Sequence, residues 1–254
     1  MERAFDAVAS NFERFRALPD GVPEAIRSAL FAATHITSPA RVLDLGAGTG
    51  RIGRIFITAG DHYVGADTSF AMLQEFQATA KQGFLAQADG RQLPFRNGAF
   101  DLVLLMHVLS GTRDWQQIVK ESRRVVRVGG AVVVGHTARS ESGIDAQLKR
   151  ELRSILEEIG IPWQRPRESR GEALAWLDSQ ASQRVHSQAA SWTTRTNAQQ
   201  FLERHRTGAR FAALPAPVQE RAISKLTEWA VKTFGSLNIT FEEQHSFELD
   251  VFEF

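Results

Sequence analysis

The stretch VLDLGAGTG, residues 42–50, decides the fold. A β-branched and leucine-rich run ends in an acid, Asp44, and glycines then fall on alternate positions at Gly46, Gly48 and Gly50. Such a run stopped by glycines reads as a strand entering a tight turn. Glycine lacks a Cβ and accepts positive φ, so this turn lets backbone approach a ligand closely. A helix behind the turn would present free amides and the positive end of its dipole, which suits a pyrophosphate or a carboxylate. Dinucleotide sites use Gly-X-Gly-X-X-Gly; counted from Gly46, the last glycine of that pattern falls on Arg51. The carboxylate of Asp44 would also repel a pyrophosphate, whereas it would attract a ligand carrying a cationic amino group.

Outward from this turn, strands and helices alternate. RVLDL, HYVGAD, FLAQAD, FDLVLLMHV and AVVVGH read as five strands. Between them lie helical stretches: RIGRIFITAG closed by Gly60, SFAMLQEFQATAKQG capped by Ser69 and stopped by Gly83, and DWQQIVKESRRVVRVGG stopped by a glycine pair. The apolar run FDLVLLM suits a strand covered on both faces. This alternation predicts a Rossmann-like, doubly wound α/β sheet, with its ligand crevice over the end of VLDL at the topological switch point. Two helices, 2–17 and 23–35, precede the sheet. RVHSQAASWTTR and the closing ITFEEQHSFELDVFEF read as two more strands, giving seven, mostly parallel, with an antiparallel one at the C-terminus. Amphipathic helices are inserted between these last strands at about 139–165 and 196–235, and IPWQRPRES reads as an exposed loop. The organisation expected is an N-terminal helical segment (1–36), a lid or a simple capping element, a Rossmann-like ligand-binding core (37–138) and a remainder (139–254) that carries helical cap insertions.

Two further acids sit at strand ends. Asp67 closes the second strand about 20 residues after the first glycine, the spacing of a ribose-binding acid. Asp89 closes the third strand, placed to accept from an exocyclic amine such as adenine N6. Asp67 stands just before Thr68 and Ser69, so helix capping is an alternative reading for it. Asp101, at the start of the fourth strand, lies away from the crevice and reads as structural.

VLDLGAGTG, VGADTSFAML, AQADGRQLPFRNGAFDLVLLMHVL and ESRRVVRVGGAVVV together resemble the successive motifs of class I S-adenosylmethionine-dependent methyltransferases, of the ubiquinone-biosynthesis-like, type 11 group. The resemblance covers residues 40–136 and implies S-adenosylmethionine as cofactor. It implies that Gly46, Gly48 and Gly50 line the amino-acid end of the cofactor and that Asp44 orients the loop. It further places Asp67 at the ribose diol, Met72 near the adenine and Asp89 with Gly90 at the adenine edge, and counts Ala47, Thr68 and Met106 among the cofactor-binding residues. Val128 replaces the proline usual before the glycine pair, and Asn97 stands where an acid is common.

Methyl transfer asks the protein to position two reactants and exclude water. A base is needed only when the acceptor must lose a proton. His107 and His136 are the candidates for that role or for orienting the acceptor; lining the pocket or bonding to backbone is the alternative for each. The remaining histidines, His35, His62, His186, His205 and His245, show no metal-ligand spacing and read as surface or packing residues. The tryptophans Trp163, Trp176, Trp192 and Trp229 read mostly as core, with Trp229 a candidate acceptor wall on an inserted helix.

Composition narrows the partners. Lys and Arg number 30 against 29 Asp and Glu in 254 residues, so no basic surplus points to nucleic acid. The absence of cysteine removes thiol catalysis, disulfides and cysteine-based metal sites. No apolar run approaches membrane-spanning length. The expectation is a cytoplasmic enzyme with a small-molecule acceptor, no metal, no nucleic acid and no membrane insertion. A nicotinamide-dependent oxidoreductase or a non-catalytic S-adenosylmethionine-binding protein are the alternatives.

Overall fold

The computed structural model describes residues 17–254 except 81, 111, 113, 162–168 and 207–208. The helix expected over 2–17, with Phe5, Phe12, Phe15, Arg14 and Arg16, lies outside the described residues, as does most of the loop around Trp163.

The described chain runs α1 (Val22–Ala32), β1 (Arg41–Leu45), α2 (Gly53–Thr58), β2 (His62–Asp67), α3 (Phe70–Thr79), β3 (Phe84–Gln87) and β4 (Phe100–Met106). It continues through α4 (Trp115–Val125), β5 (Val126–Arg139), α5 (Ile144–Glu158), α6 (Ser169–Gln180), β6 (Gln183–Thr196), α7 (Ala198–Arg206), α8 (Ala209–Ala212), α9 (Ala216–Phe234) and β7 (Phe241–Glu253). Seven strands make one sheet in the order β3-β2-β1-β4-β5-β7-β6. β1 to β5 pair in parallel, and β7 inserts antiparallel to both β5 and β6. The predicted fold class is therefore the observed one. Its order reverses between β1, which is followed by β2 on one side, and β4 on the other; the crevice opens there.

Apolar alternation and burial on both faces hold the sheet. Val42, Leu102, Leu104, Val133 and Leu249 meet α1 and α2 on one side, against Ile26, Leu30 and Phe56. Leu43, Val103, Leu105, Val132 and Phe252 meet α4 and α6 on the other, against Val119 and Leu177. Asp101 has the structural role expected of it: Arg41 and Arg127 both donate to its carboxylate at the amino edge, and the Arg41 hydrogen bonds hold its pKa well below the usual carboxylate range.

Several boundaries differ from the sequence expectation, among them β3, which ends at Gln87, so that Asp89 lies in the turn after the strand and does not close it. The helix predicted to run to Gly129–Gly130 stops at Val125, because the β-branched run from Val126 enters β5 instead. The glycine pair forms a bulge between the Phe100↔Val126 and Leu102↔Ala131 pairings, with Gly129 at φ 71. α3 is capped by Ser69 as predicted, its hydroxyl accepting from Met72 N–H, but it ends at Thr79, short of Gly83. β4 ends at Met106 because His107 turns to φ 62.

β5 continues past β4. Its pairing to β4 ends at Met106↔Gly135, while residues 136–139 pair with β7 alone. On this extension stand the inserted helices. α5, α7, α8 and α9 share a separate apolar cluster that includes Leu148, Leu152, Phe201, Phe211 and Leu226. Their amphipathic faces thus pack chiefly on one another. Among the described residues no helix is long and apolar enough to cross a membrane, and no cluster of metal-ligating side chains occurs.

Candidate active site

A cavity of about 680 Å³ lies over the carboxyl ends of β1 to β4. The glycine loop forms its floor. Gly46 N–H and Ala47 N–H both donate to the Ala66 carbonyl, at 2.7 and 3.1 Å, tying the loop to β2. Gly48 N–H donates to Asp67 Oδ2 at 2.9 Å, and Ser69 N–H donates to Asp67 Oδ1 at 2.9 Å. Asp67 therefore bridges the glycine loop and the start of α3 while its half-buried carboxylate faces the cavity. Capping and ligand binding are compatible here, since a carboxylate has about four acceptor positions.

Asp44 is the most perturbed group. Its Oδ2 accepts from the Tyr63 hydroxyl at 2.8 Å, while Oδ1 is buried with no hydrogen-bond partner among the described residues. Burial, aided by the neighbouring Asp67 charge and opposed by the Tyr63 hydrogen bond, pushes its pKa up to about 7. A buried acceptor without a donor is costly, and it sits in the cavity wall beneath the glycine turn. It fits a ligand that brings a cationic donor. The open space above Gly48 fits one too: a Cβ there would meet nothing nearer than the Gly46 carbonyl, 4.0 Å away. Both features suit the amino-acid end of S-adenosylmethionine.

The lining includes Asp44, Gly46, Ala47, Gly48, Asp67, Thr68, Met72, Asp89, Gly90, Met106 and His107, all singled out from the sequence. Two others are not in it. Gly50 has φ 81, and a Cβ there would stand 2.3 Å from the Phe76 ring, so its glycine serves packing. His136 follows Gly135 on β5, and strand neighbours point to opposite faces. Thr137 Oγ1 lies 3.4 Å from His107 Nε2, so His136 points away, to the side of Arg170 and Asp250. Burial lowers its pKa, and its Nδ1 has no partner among the described residues.

Several lining residues were missed. Arg91 donates to both oxygens of Asp89 and to Asp114, and these hydrogen bonds hold Asp89 below its ordinary pKa. Gln87 donates to the Thr68 carbonyl at 2.9 Å and Arg51 lines the loop side. The Asp-X-Arg spacing of residues 89–91 was the available signal for Arg91. His107 is exposed, holds left-handed backbone uncommon outside glycine, and stacks edge-on against Phe247 with centroids 5.6 Å apart.

Asp67→Ala is expected to weaken S-adenosylhomocysteine binding by roughly 1–3 kcal/mol, by removing a charged acceptor and the Gly48 tether together. Thermal unfolding should shift by the loss of the hydrogen bonds that Asp67 accepts, those from Gly48 and Ser69 among them. Calorimetry that finds unaltered affinity would take Asp67 out of the binding site.

A nucleotide-type crevice at the switch point, lined by Asp44, Asp67 and Asp89, is the arrangement the class I methyltransferase fold uses. Comparison with known proteins agrees. The family profile of the type 11 methyltransferase domain matches residues 43–134. Demethylmenaquinone methyltransferase of Thermobifida fusca is 30% identical over 165 residues, covering 63% of this chain and 68% of that one. Malonyl-[acyl-carrier protein] O-methyltransferase of Legionella pneumophila is 34% identical over 142 residues, 52% of this chain and 48% of the relative. The chain spans about half the length of several such relatives. Among solved structures, a putative type II methyltransferase from Anaeromyxobacter dehalogenans superposes with a TM-score of 0.59 at 14% identity, covering 93% of this chain and 98% of that one, which speaks for the fold alone. The chain belongs to the type 11 family of S-adenosylmethionine-dependent methyltransferases.

Proposed function

We propose that this protein transfers the methyl group of S-adenosylmethionine to a small-molecule acceptor. The observation that carries this reading is the buried Oδ1 of Asp44 beneath the glycine turn, partnerless among the described residues, which suits a cationic donor and not a phosphate. In this reading ionised Asp44 and the loop amides hold the amino-acid end of the cofactor, Asp67 accepts from its ribose hydroxyls, and Met72 packs beside its adenine. Asp89, steadied by Arg91, and the Gly90 amide meet the adenine edge. When bound, the cofactor supplies an electrophilic methyl on a sulfonium.

What remains for the chain is positioning, exclusion of water and, for a protic acceptor, removal of a proton. His107 supports that last role. It is exposed in the cavity wall at the end of β4, with Thr137 and Phe247 beside its ring. The relatives named above act on a demethylated quinone precursor and on an acyl-carrier-bound acid, by their names, so the family accommodates different acceptors around one cofactor site.

Thermal unfolding tests the reading. S-adenosylhomocysteine should raise Tm and NAD should not. His107→Ala should lower methyl transfer from labelled donor by roughly 10²–10⁴-fold where the acceptor is protic, with S-adenosylhomocysteine affinity kept. Stabilisation by NAD alone would transfer the site to the oxidoreductase alternative.

A further inference from the structure

Asp44 meets the cavity from β1, and a hydrogen-bond donor reaches it from the neighbouring strand. In the parallel register Val42 stands beside Tyr63 and Asp44 beside Gly65. Alternate residues of a strand share a face, so Tyr63 and Gly65 of β2 lie on the side of the sheet to which Val42 and Asp44 point. The Tyr63 ring runs along that face over Gly65, and its hydroxyl donates to Asp44 Oδ2 at 2.8 Å. Two glycines leave the room for this reach. A Cβ on Gly65 would stand 3.1 Å from the Tyr63 ring. A Cβ on Gly53, at the start of α2, would stand 2.5 Å from Tyr63 Cζ and nearer still to its hydroxyl oxygen. Phe56 of α2 and Phe76 of α3 hold the ring, with centroids 6.4 and 5.9 Å from its own.

Packing alone does not ask for this hydroxyl. A phenylalanine at position 63 would fill the same space between Phe56 and Phe76 and bury no polar group. A buried phenol needs a partner, and the partner here is the carboxylate that faces the cavity. Burial first, and the charge of Asp44 second, push the Tyr63 phenol well above its ordinary pKa, so it remains a donor across the neutral range. Its hydrogen bond in turn opposes the burial that raises Asp44, because a donor to the charged form favours ionisation. Asp67, at the end of β2, acts on Asp44 in the opposite sense. β4 places uncharged Leu104 beside Asp44, and the rest of the cavity wall carries Arg51, Asp89, Arg91, His107 and Asp114.

We propose that Tyr63 is a positioning residue of the cofactor site: its hydroxyl holds Asp44 Oδ2 and so leaves Oδ1 to the ammonium of S-adenosylmethionine. The inference rests on the methyltransferase reading, with Asp44 as the partner of that ammonium. A carboxylate tethered through one oxygen is oriented before the ligand arrives, so less freedom is lost on binding. The same tether keeps Asp44 ionised closer to neutral pH than burial alone would allow. Gly53 and Gly65 serve the site through the space they leave for the phenol.

The test compares the full-chain wild type with Tyr63→Phe, which keeps the ring and removes only the hydroxyl; circular dichroism checks that it folds. S-adenosylhomocysteine is titrated by calorimetry between pH 6 and pH 8.5. At pH 7 the variant should bind roughly tenfold more weakly. The pH below which affinity falls should move up by about one unit, so the gap between the two proteins should narrow towards pH 8.5. The other titratable groups of the cavity wall are common to both proteins and cancel in this comparison. In the Asp44→Asn background, Tyr63→Phe should change affinity by no more than about twofold, since the hydroxyl acts through the carboxylate. A second readout needs no ligand. Folded Asp44 holds a proton that the unfolded chain has released, so wild-type Tm should fall as pH rises to about 7. In Tyr63→Phe that fall should continue about one unit higher. An unmoved pH midpoint, or the same loss of affinity in both backgrounds, overturns the proposal and leaves Tyr63 a core residue with a satisfied hydroxyl. Failure of S-adenosylhomocysteine to bind the wild type strikes the methyltransferase reading and the proposal together, whereas wild-type binding with an unmoved midpoint strikes the proposal alone.

Discussion

Asp44→Asn should lower affinity for S-adenosylhomocysteine by roughly 100-fold, because a charge-assisted hydrogen bond is lost and two donors are set face to face. The variant keeps one acceptor for the Tyr63 hydroxyl, so its fold should persist. Its amide NH2 then occupies the position of the partnerless Oδ1, where the ligand's ammonium belongs. The pH dependence is equally diagnostic. Asp44 in the ligand-free protein has a pKa near 7. Below that value it is protonated, and binding an ammonium must expel the proton. Wild-type affinity should therefore fall as pH drops below 7, approaching tenfold per unit, with proton release visible in calorimetry across buffers of different ionisation enthalpy. Asp44→Asn should show no such slope.

The same residue predicts a stability effect of opposite sense. Its folded pKa is raised from 3.8, so between the two values the folded chain holds a proton that the unfolded chain has released. The stability this contributes is complete below the unfolded value and is lost as pH rises through about 7. Ligand-free wild type should thus lose stability from pH 5 to pH 8 relative to Asp44→Asn, and added S-adenosylhomocysteine should restore it by stabilising the ionised form. Parallel Tm–pH curves for the two proteins would show that burial does not perturb Asp44.

The sequence revealed whatever depends on local pattern. The run from Val42 to Gly50, the acids near successive strand ends and the Ser69 cap all follow from turn chemistry and strand spacing, and they located the cavity. What was hidden depends on register and on distant contacts. His107 and His136 both follow apolar runs, yet only strand pairing tells that Thr137, and not His136, shares a face with His107. Gly129–Gly130 looks like a helix stop until the pairing with β4 shows a bulge. The charged cluster around Asp145 draws Arg139 from a strand, Lys149 from one helix, Arg204 from another and Glu243 from β7, so no spacing along the chain announces it. His245, read from the sequence as surface or packing, proves to be buried beneath that cluster, with its ring against Trp192.

Gly48 and Gly50 are identical in the sequence and should behave as opposites. Gly50→Ala places a methyl 2.3 Å from the ring of Phe76, a fully buried side chain, at a backbone φ of 81. Left-handed backbone costs a residue with Cβ roughly 1–2 kcal/mol, and overpacking a filled core costs about 1–3 kcal/mol more. Together these should lower Tm by roughly 10 °C in a chain of this size. Gly48→Ala has a similar backbone term, at φ 55, but its methyl projects into open space above the loop. Its Tm should fall by only a few degrees. That same methyl occupies the space the ligand's amino-acid end requires, so S-adenosylhomocysteine affinity should drop at least 100-fold where Gly50→Ala, measured below its own Tm, retains most of it. A second substitution separates packing from backbone strain. Phe76→Leu in the Gly50→Ala background removes the ring that the methyl strikes, so the double variant should be more stable than the sum of the single effects predicts. Additive losses would assign the whole cost at Gly50 to its φ, and equal ligand affinity in Gly48→Ala and wild type would move the cofactor's amino-acid end away from the loop.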